Sequence, residues 1–437
     1  MDLRSRRGFL SAVGTAAIGA AFVPRIMADS LKHMAWSMDP GLSPLDAAAD
    51  EKFWADIRKG FDLPEGILNL DNGYCNPLSR AVMDDLVNSA RQIGQLPSKR
   101  LEEFYNNVTE KQTIPGIAKI LGVPADEIAL TRNATEALDT VILGTPLKAG
   151  DEIVCSAHDY YAMLDAIEQR RGRDGIVVKM IEPPLPAPSM DALVDLYQRA
   201  INSRTKLVLV THASNLTGQI YPVKRIAAAA HRAGARVICD AAQTFALADH
   251  KITDLDCDYY GISLHKWLMA PVGAGVLWMR KELEAKTWPL VPPPGFVKGM
   301  QRFQWSGTYP EFISSAAAPA IKFHENLGAA RKEERLRYLA RHLRAKLQTI
   351  DALRFYTTDD AGSSCGLTVF EVAGVSSEKL QKHLWEQHKV LVQYMSSESR
   401  DPRIKGIRVT PNIYTTPGEL DRFAGLVADA VKKGTLR

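Results

Sequence analysis

Val237-Ile238-Cys239-Asp240-Ala241-Ala242-Gln243 and Gly261-Ile262-Ser263-Leu264-His265-Lys266-Trp267 each carry a short apolar run straight into polar side chains. A run of that length bounded by small and polar residues predicts a buried strand. An aspartate directly ending such a strand is costly to bury unless it is paired or hydrogen-bonded; Asp240 reads either as a helix N-cap or as part of a site. The same texture extends outward from these segments. Glu127–Thr131, Glu152–Ser156, Ile176–Ile181, Lys206–Thr211, Val237–Asp240, Tyr259–Ser263 and Gly275–Met279 read as strands. Thr135–Leu147, Tyr161–Arg171, Met190–Ile201 and Val223–Ala233 carry helical periodicity between them. Alternating β and α elements predict an α/β fold with a mostly parallel, seven-stranded sheet covered on both faces. The Pro-rich stretches Glu182–Pro188 and Val291–Gly295 read as rigid loops.

After Thr308 the pattern changes. Residues 313–349 read as one or two long helices, with Arg331–Lys346 a solvated charged face. The shorter strands Gly366–Val372, Val390–Tyr394 and Ile407–Thr410 and a closing helix Pro417–Val431 predict a smaller α+β domain. The expected organisation is a linker over 29–48, an N-terminal segment 49–84 completing the small domain, a large domain over 85–312 and the small domain over 313–437.

The 437 residues hold 54 basic and 50 acidic side chains, 46% hydrophobic and 24% charged residues. This is the composition of an ordinary globular chain, too charged for a membrane bundle and too apolar for disorder. A net charge of +4 carries no basic stripe, so nucleic acid is not an expected partner. Five scattered cysteines without a CxxC pair make neither a disulfide framework nor a zinc site, and the histidines show no metal-binding spacing. Gly273-Ala274-Gly275 precedes a strand and lacks the rest of a dinucleotide fingerprint, so it reads as a turn.

Residues 1–28 follow a different grammar. Ser5-Arg6-Arg7-Gly8-Phe9-Leu10 opens a mild Ala- and Gly-rich apolar run that ends near Ala28. This resembles a twin-arginine signal peptide and implies export of the folded protein by the twin-arginine machinery to the periplasm. The run is too short and glycine-rich for a good spanning helix, so no stable membrane insertion is expected after processing.

In open parallel sheets ligands bind outside the C-terminal strand ends, and the polar residues gather there. Thr131-Arg132-Asn133-Ala134-Thr135-Glu136 opens a helix with small polar residues, which suits a phosphate and equally a plain helix cap. His212-Ala213-Ser214-Asn215 follows the fourth strand, Asp240 and Gln243 the fifth, and Ser263, His265 and Lys266 the sixth. A desolvated lysine becomes a Schiff-base nucleophile. A carboxylate for a protonated pyridine nitrogen, such a lysine and a phosphate-cradling helix start together match what pyridoxal phosphate requires.

The order Asn215, then Asp240 and Gln243, then Ser263-Leu264-His265-Lys266 resembles the class V aminotransferase family of fold type I, a group that includes cysteine desulfurases and isopenicillin N epimerases. The resemblance implies that Lys266 forms the internal aldimine and that Asp240 pairs with the ring nitrogen. It places Asn215 and Gln243 at the ring hydroxyl side, and Ser263, His265, Ala134 and Thr135 at the phosphate. Tyr160 falls at the ring-stacking position, where tyrosine is more similar to the epimerase branch than to desulfurases. Gly307-Thr308 resembles the pair that reaches a phosphate across a homodimer interface. Arg408, in Arg408-Val409-Thr410-Pro411-Asn412, resembles the arginine that clamps the substrate α-carboxylate. Val392–Glu398 lacks the cysteine that desulfurases carry before that arginine, which argues against persulfide chemistry. The implied activity is epimerase-like or aminotransferase chemistry at Cα of an amino acid or an amino-acid-containing small molecule. A C–S or β-eliminating lyase is the alternative, and a non-catalytic ligand-binding protein on the same fold a second one. The loops Leu96–Tyr105, Leu290–Trp305 and Met395–Arg403 are expected to set substrate identity.

Overall fold

The computed structural model describes residues 42–360, 362–395 and 400–434. The signal-peptide reading of residues 1–28 and most of the linker lie outside the described residues.

Seven strands form the central sheet: β1 (Ile128–Thr131), β2 (Glu152–Ser156), β3 (Val177–Ile181), β4 (Thr205–Thr211), β5 (Arg236–Asp240), β6 (Tyr259–Ser263) and β7 (Gly275–Met279). Their spatial order is β1-β7-β6-β5-β4-β2-β3, and only β7 runs against the rest. Successive side chains of a strand point to opposite faces, which here gives two cores. Val208, Val210, Val237, Cys239 and Ile262 pack on one face, while Leu207, Leu209, Ile238, Ile153 and Cys155 pack on the other. Continuous apolar runs are what a sheet buried on both faces demands. The register sets Thr211 beside Asp240 and Asp240 beside Gly261, so the polar strand ends lie along one edge.

The helix after β1 spans Ala134–Gly144, ending earlier than its periodicity predicts. Pro146 disfavours the helical conformation for Thr145, which is extended at ψ 127°. Gly275 begins β7 where a Cβ would lie 2.5 Å from the Asn133 Cα, so the strand and the helix start can touch only through a glycine.

The long helical region is three helices, Glu311–Ser315, Ala317–Leu327 and Ala329–Leu347. Gly328, at φ +86°, separates the last two. The charged run is not a solvated face: Lys332 and Arg335 are fully buried and Arg344 nearly so. Arg335 is tolerated there because both of its terminal nitrogens are paired. It pairs with Glu51, donates to the carbonyls of Ala48 at 2.9 Å and Thr415 at 3.0 Å, and lies over the Trp54 ring. Those partners come from the helices Pro44–Ala48 and Glu51–Arg58 and from the C-terminal region; the first of these helices occupies the end of the predicted linker. Arg335→Met strands these acceptors and is expected to cost about 3 kcal/mol in a urea titration.

The smaller sheet is antiparallel in the order Gln393–Tyr394, Ile407–Val409, Thr368–Val372, Leu353–Phe355. The single strand expected over 390–394 splits in two. Val390–Leu391 instead pairs in parallel with Leu68–Asn69 from the N-terminal segment. Leu68 and Leu70 share a core with Leu339, Leu343, Phe370 and Val409. The stretch 96–105 is no loop either: Pro97–Phe104 is a helix, with proline at its first turn, running into a π-helical segment Tyr105–Thr113.

Candidate active site

The C-terminal strand ends and the small sheet enclose a cavity of about 220 Å³. Lys266, His265 and Ser263 enter it from the end of β6, Asp240 and Gln243 from β5, Asn215 from the loop after β4 and Tyr160 from the loop after β2. Ala134 and Thr135 enter from the helix start after β1, and Arg408 from Ile407–Val409. Of the residues assigned to cofactor or substrate in the sequence, Gly307 and Thr308 do not line it and are exposed; nor does any described residue of the expected substrate loops 96–105, 290–305 and 395–403.

Asp240 is 7% exposed and accepts a hydrogen bond from the Ala242 N–H at 2.9 Å. Burial pushes its carboxyl up, while Lys266 and that N–H pull it down. Lys266 is fixed through its backbone, since its carbonyl accepts from the Asn76 amide at 2.8 Å. The Ser263 hydroxyl accepts from the Ala134 N–H at 2.9 Å, tying the strand end to the helix start while its own proton stays available to donate. His265 Nδ1 is buried without a hydrogen-bond partner among the described residues. Burial, with Lys266 nearby, lowers the His265 imidazole to about 4, so the ring is neutral at pH 7. Gln243 donates to the Gly73 carbonyl at 2.8 Å and accepts from the Trp267 indole at 3.0 Å, so it braces the cavity wall and keeps one N–H and one lone pair for a ligand.

The Tyr160 loop is held from beneath by Asp159, which accepts from the N–H groups of Ser156 at 2.7 Å and Thr211 at 3.1 Å. Complete burial raises the Asp159 carboxyl to about 8, with Asp240 adding to the rise. Tyr160 stacks obliquely on Tyr161 at 4.4 Å between ring centres.

Sequence reasoning missed one whole wall. Gly73, Tyr74 and Cys75 line the cavity, together with Met163 and Val272. The Cys75 thiol is raised by burial against the pull of Lys266. The segment is held by a buried asparagine network: Asn72 donates to the Thr410 carbonyl at 2.8 Å, Asn76 to those of Asn72 and Lys266, and Asn412 and Tyr414 to Asn76 and Asn72. The only local signal was the pair of asparagines in Asn69-Leu70-Asp71-Asn72-Gly73, with no periodicity to place it.

Lys332 supports the same region from the other side, donating to the carbonyl of Trp267, the residue after Lys266. Burial lowers its ammonium to about 7. Between about pH 7 and the ordinary lysine range the unfolded chain therefore holds a proton the folded one has released. Stability is expected to rise with pH across that window, by up to about 1.4 kcal/mol per pH unit, and to have no such slope below it. Lys332→Met should remove this contribution, read from urea unfolding of wild type and variant across the same pH series.

Residues 73–423 match the family model for class V aminotransferases. The chain belongs to that family of pyridoxal-phosphate enzymes, which acts on amino-acid substrates. It is 28% identical over 402 residues to the isopenicillin N epimerase of Amycolatopsis lactamdurans, covering 87% of this chain and 99% of that one. The fold matches the cysteine desulfurase of Thermococcus onnurineus at a TM-score of 0.76, with 22% identity over 86% of this chain and 98% of that one. It also matches the cystine C–S lyase C-DES carrying glycine covalently linked to its PLP cofactor, at a TM-score of 0.75 and 18% identity over 85% and 99% of the two chains. The cofactor is pyridoxal 5′-phosphate, and the cavity fits it. The orphaned His265 Nδ1, the Ser263 hydroxyl and an eleven-residue helix starting at Ala134 offer donors to a phosphate. Asp240 and Lys266 line the same cavity.

Proposed function

We propose that this protein moves a proton at Cα of an amino acid or an amino-acid-containing small molecule, as an epimerase-like enzyme or an aminotransferase. The observation that carries the reading is the placement of Lys266, Asp240 and Arg408 around one cavity. Bound pyridoxal phosphate supplies the electron sink that lets a bond at Cα break. Asp240 holds the proton on the ring nitrogen, and Tyr160 covers a ring face. Asn215 and Gln243 bind the ring hydroxyl side; Ser263, His265 and the helix start at Ala134-Thr135 bind the phosphate. Arg408 binds the substrate carboxylate and fixes which Cα bond points at Lys266. Lys266 is the side chain that would hold the cofactor at rest, and its amine, once displaced by the substrate amine, would take the Cα proton and return it as a general acid–base.

The 28% identity to an epimerase over nearly its whole length supports the Cα reading, as does the absence of cysteine from 392–398. The alternative is a C–S or β-eliminating lyase, favoured by the desulfurase and lyase folds and by Cys75 in the cavity. The deciding experiment follows the visible spectrum of the purified protein during titration with L- and D-amino acids in D2O. Conversion of the cofactor to its amine form assigns transamination. An unchanged cofactor with deuterium at Cα of both enantiomers assigns epimerisation. Release of ammonia and a keto acid, or of sulfide, assigns elimination. A protein that takes up no cofactor is the non-catalytic alternative.

We further propose a homodimer in which Gly307-Thr308 completes the partner's phosphate site. The exposed Val272 at the cavity itself supports an apolar contact there; sedimentation should give twice the chain mass. Export by the twin-arginine route remains part of the proposal, and Arg6→Lys with Arg7→Lys should hold the protein inside the cytoplasmic fraction.

A further inference from the structure

Arg408, read above as the carboxylate clamp, is already paired with a carboxylate of the chain itself. Arg408 Nη2 donates to Asp71 Oδ1 at 2.9 Å, with side-chain exposures of 2% and 10%. Nη1 makes a longer bond to the Asn215 carbonyl at 3.4 Å, and Nε has no hydrogen-bond partner among the described residues. The guanidinium therefore keeps N–H groups for a second carboxylate while its charge is already matched.

Asp71 stands on pinned backbone. Its own N–H donates to the Asn69 side chain at 3.0 Å, and it bridges in parallel to Thr410. Two residues on, the Gly73 N–H donates to the Thr410 hydroxyl at 2.8 Å. At Gly73 a Cβ would lie 3.0 Å from the Thr410 methyl and 3.5 Å from both Cζ and Nε of Arg408, so the backbone lies flat against the guanidinium. An unpaired buried guanidinium is strongly destabilising, and Asp71 removes that cost in the absence of substrate.

We propose that Asp71 is an internal competitor for Arg408 and thereby a specificity residue. The proposal rests on the reading of Arg408 as the carboxylate site. A ligand carboxylate must desolvate beside a carboxylate already in contact with the same guanidinium, and the like charges make that contact weak. An α-amino acid overcomes this because its amine is held at the Lys266 end. A simple monocarboxylate has no second anchor and is rejected, so the site selects α-amino carboxylates from a background of ordinary carboxylic acids.

The test uses cofactor-loaded protein with propionate and L-alanine as matched probes that differ by the amino group. Affinity for propionate is read from the rise of the thermal midpoint across a concentration series, and affinity for L-alanine from the visible spectrum of the cofactor. Asp71→Asn, nearly isosteric, and Asp71→Ser are expected to bind propionate about tenfold or more tightly than wild type, with a smaller change for L-alanine. Asp71→Glu should stay close to wild type. If either uncharged variant keeps the native cofactor spectrum and binds propionate no better than wild type, Asp71 merely orients Arg408 and the proposal fails. It fails without any variant if wild type binds propionate as tightly as L-alanine. Arg408→Met separates the two levels of the argument: unchanged binding of both probes overturns the reading of Arg408 itself.

Discussion

Lys266→Ala is expected to leave a folded protein whose cofactor is no longer covalently attached and whose turnover falls by about 10³-fold or more. The magnitude combines loss of the nucleophile that carries the cofactor with loss of the acid–base group at Cα, each capable of contributing a factor of about 10² to 10⁴. The side chain lines the cavity. The chain path is set instead by the Asn76–Lys266, Lys332–Trp267 and Trp267–Gln243 hydrogen bonds, which the substitution leaves in place. Borohydride reduction followed by peptide mass analysis should mark Lys266 in wild type and no residue in the variant. Lys266→Arg keeps a positive charge and should behave like the alanine variant. A variant that still fixes cofactor after borohydride would remove Lys266 from its assigned role.

Asp240→Asn is expected to lower turnover by about 10² to 10³-fold, the range for removing one preorganised electrostatic group, while the cofactor-free protein becomes no less stable. The two effects have one cause. Burial raises the Asp240 carboxyl above its ordinary value, so the folded chain binds this proton more tightly than the unfolded chain. Its contribution to stability therefore falls as pH rises through the interval between the two values, and above that interval the buried charge is a cost to the fold. Asparagine keeps an oxygen for the Ala242 N–H without the charge. Parallel measurements of turnover and thermal midpoint decide the matter. A loss of stability along with activity would mark Asp240 as a structural residue.

The sheet was legible because its strands are buried on both faces and read as uninterrupted apolar runs; all seven appear within a residue of their expected limits. The cofactor wall was legible for a related reason. Asp240, Ser263, His265 and Lys266 sit at strand ends, so strand prediction and site prediction were one operation. The wall from Gly73 to Cys75 was not. Its place depends on a two-residue pairing of Leu68–Asn69 with Val390–Leu391 and on asparagine side chains bonding across more than three hundred residues, as from Asn72 to Thr410. Neither leaves a local period. Lys332 and Arg335 misled for the opposite reason, since a helix written in charged residues says nothing of acceptors waiting elsewhere in the chain. The carbonyls of Trp267, Ala48 and Thr415 supply them.

The pairing of Leu68–Asn69 with Val390–Leu391 also orders the protein's assembly as it leaves the ribosome. The segment from Asn133 to Lys266, which holds the phosphate donors, Asp240 and the lysine, emerges whole before either strand Val390–Leu391 or Arg408 has been made. Domains form as units while synthesis continues, and contacts between distant segments come last. The nascent chain thus completes the cradle of its cofactor first, and the wall that screens incoming carboxylates closes over it only when translation is nearly finished.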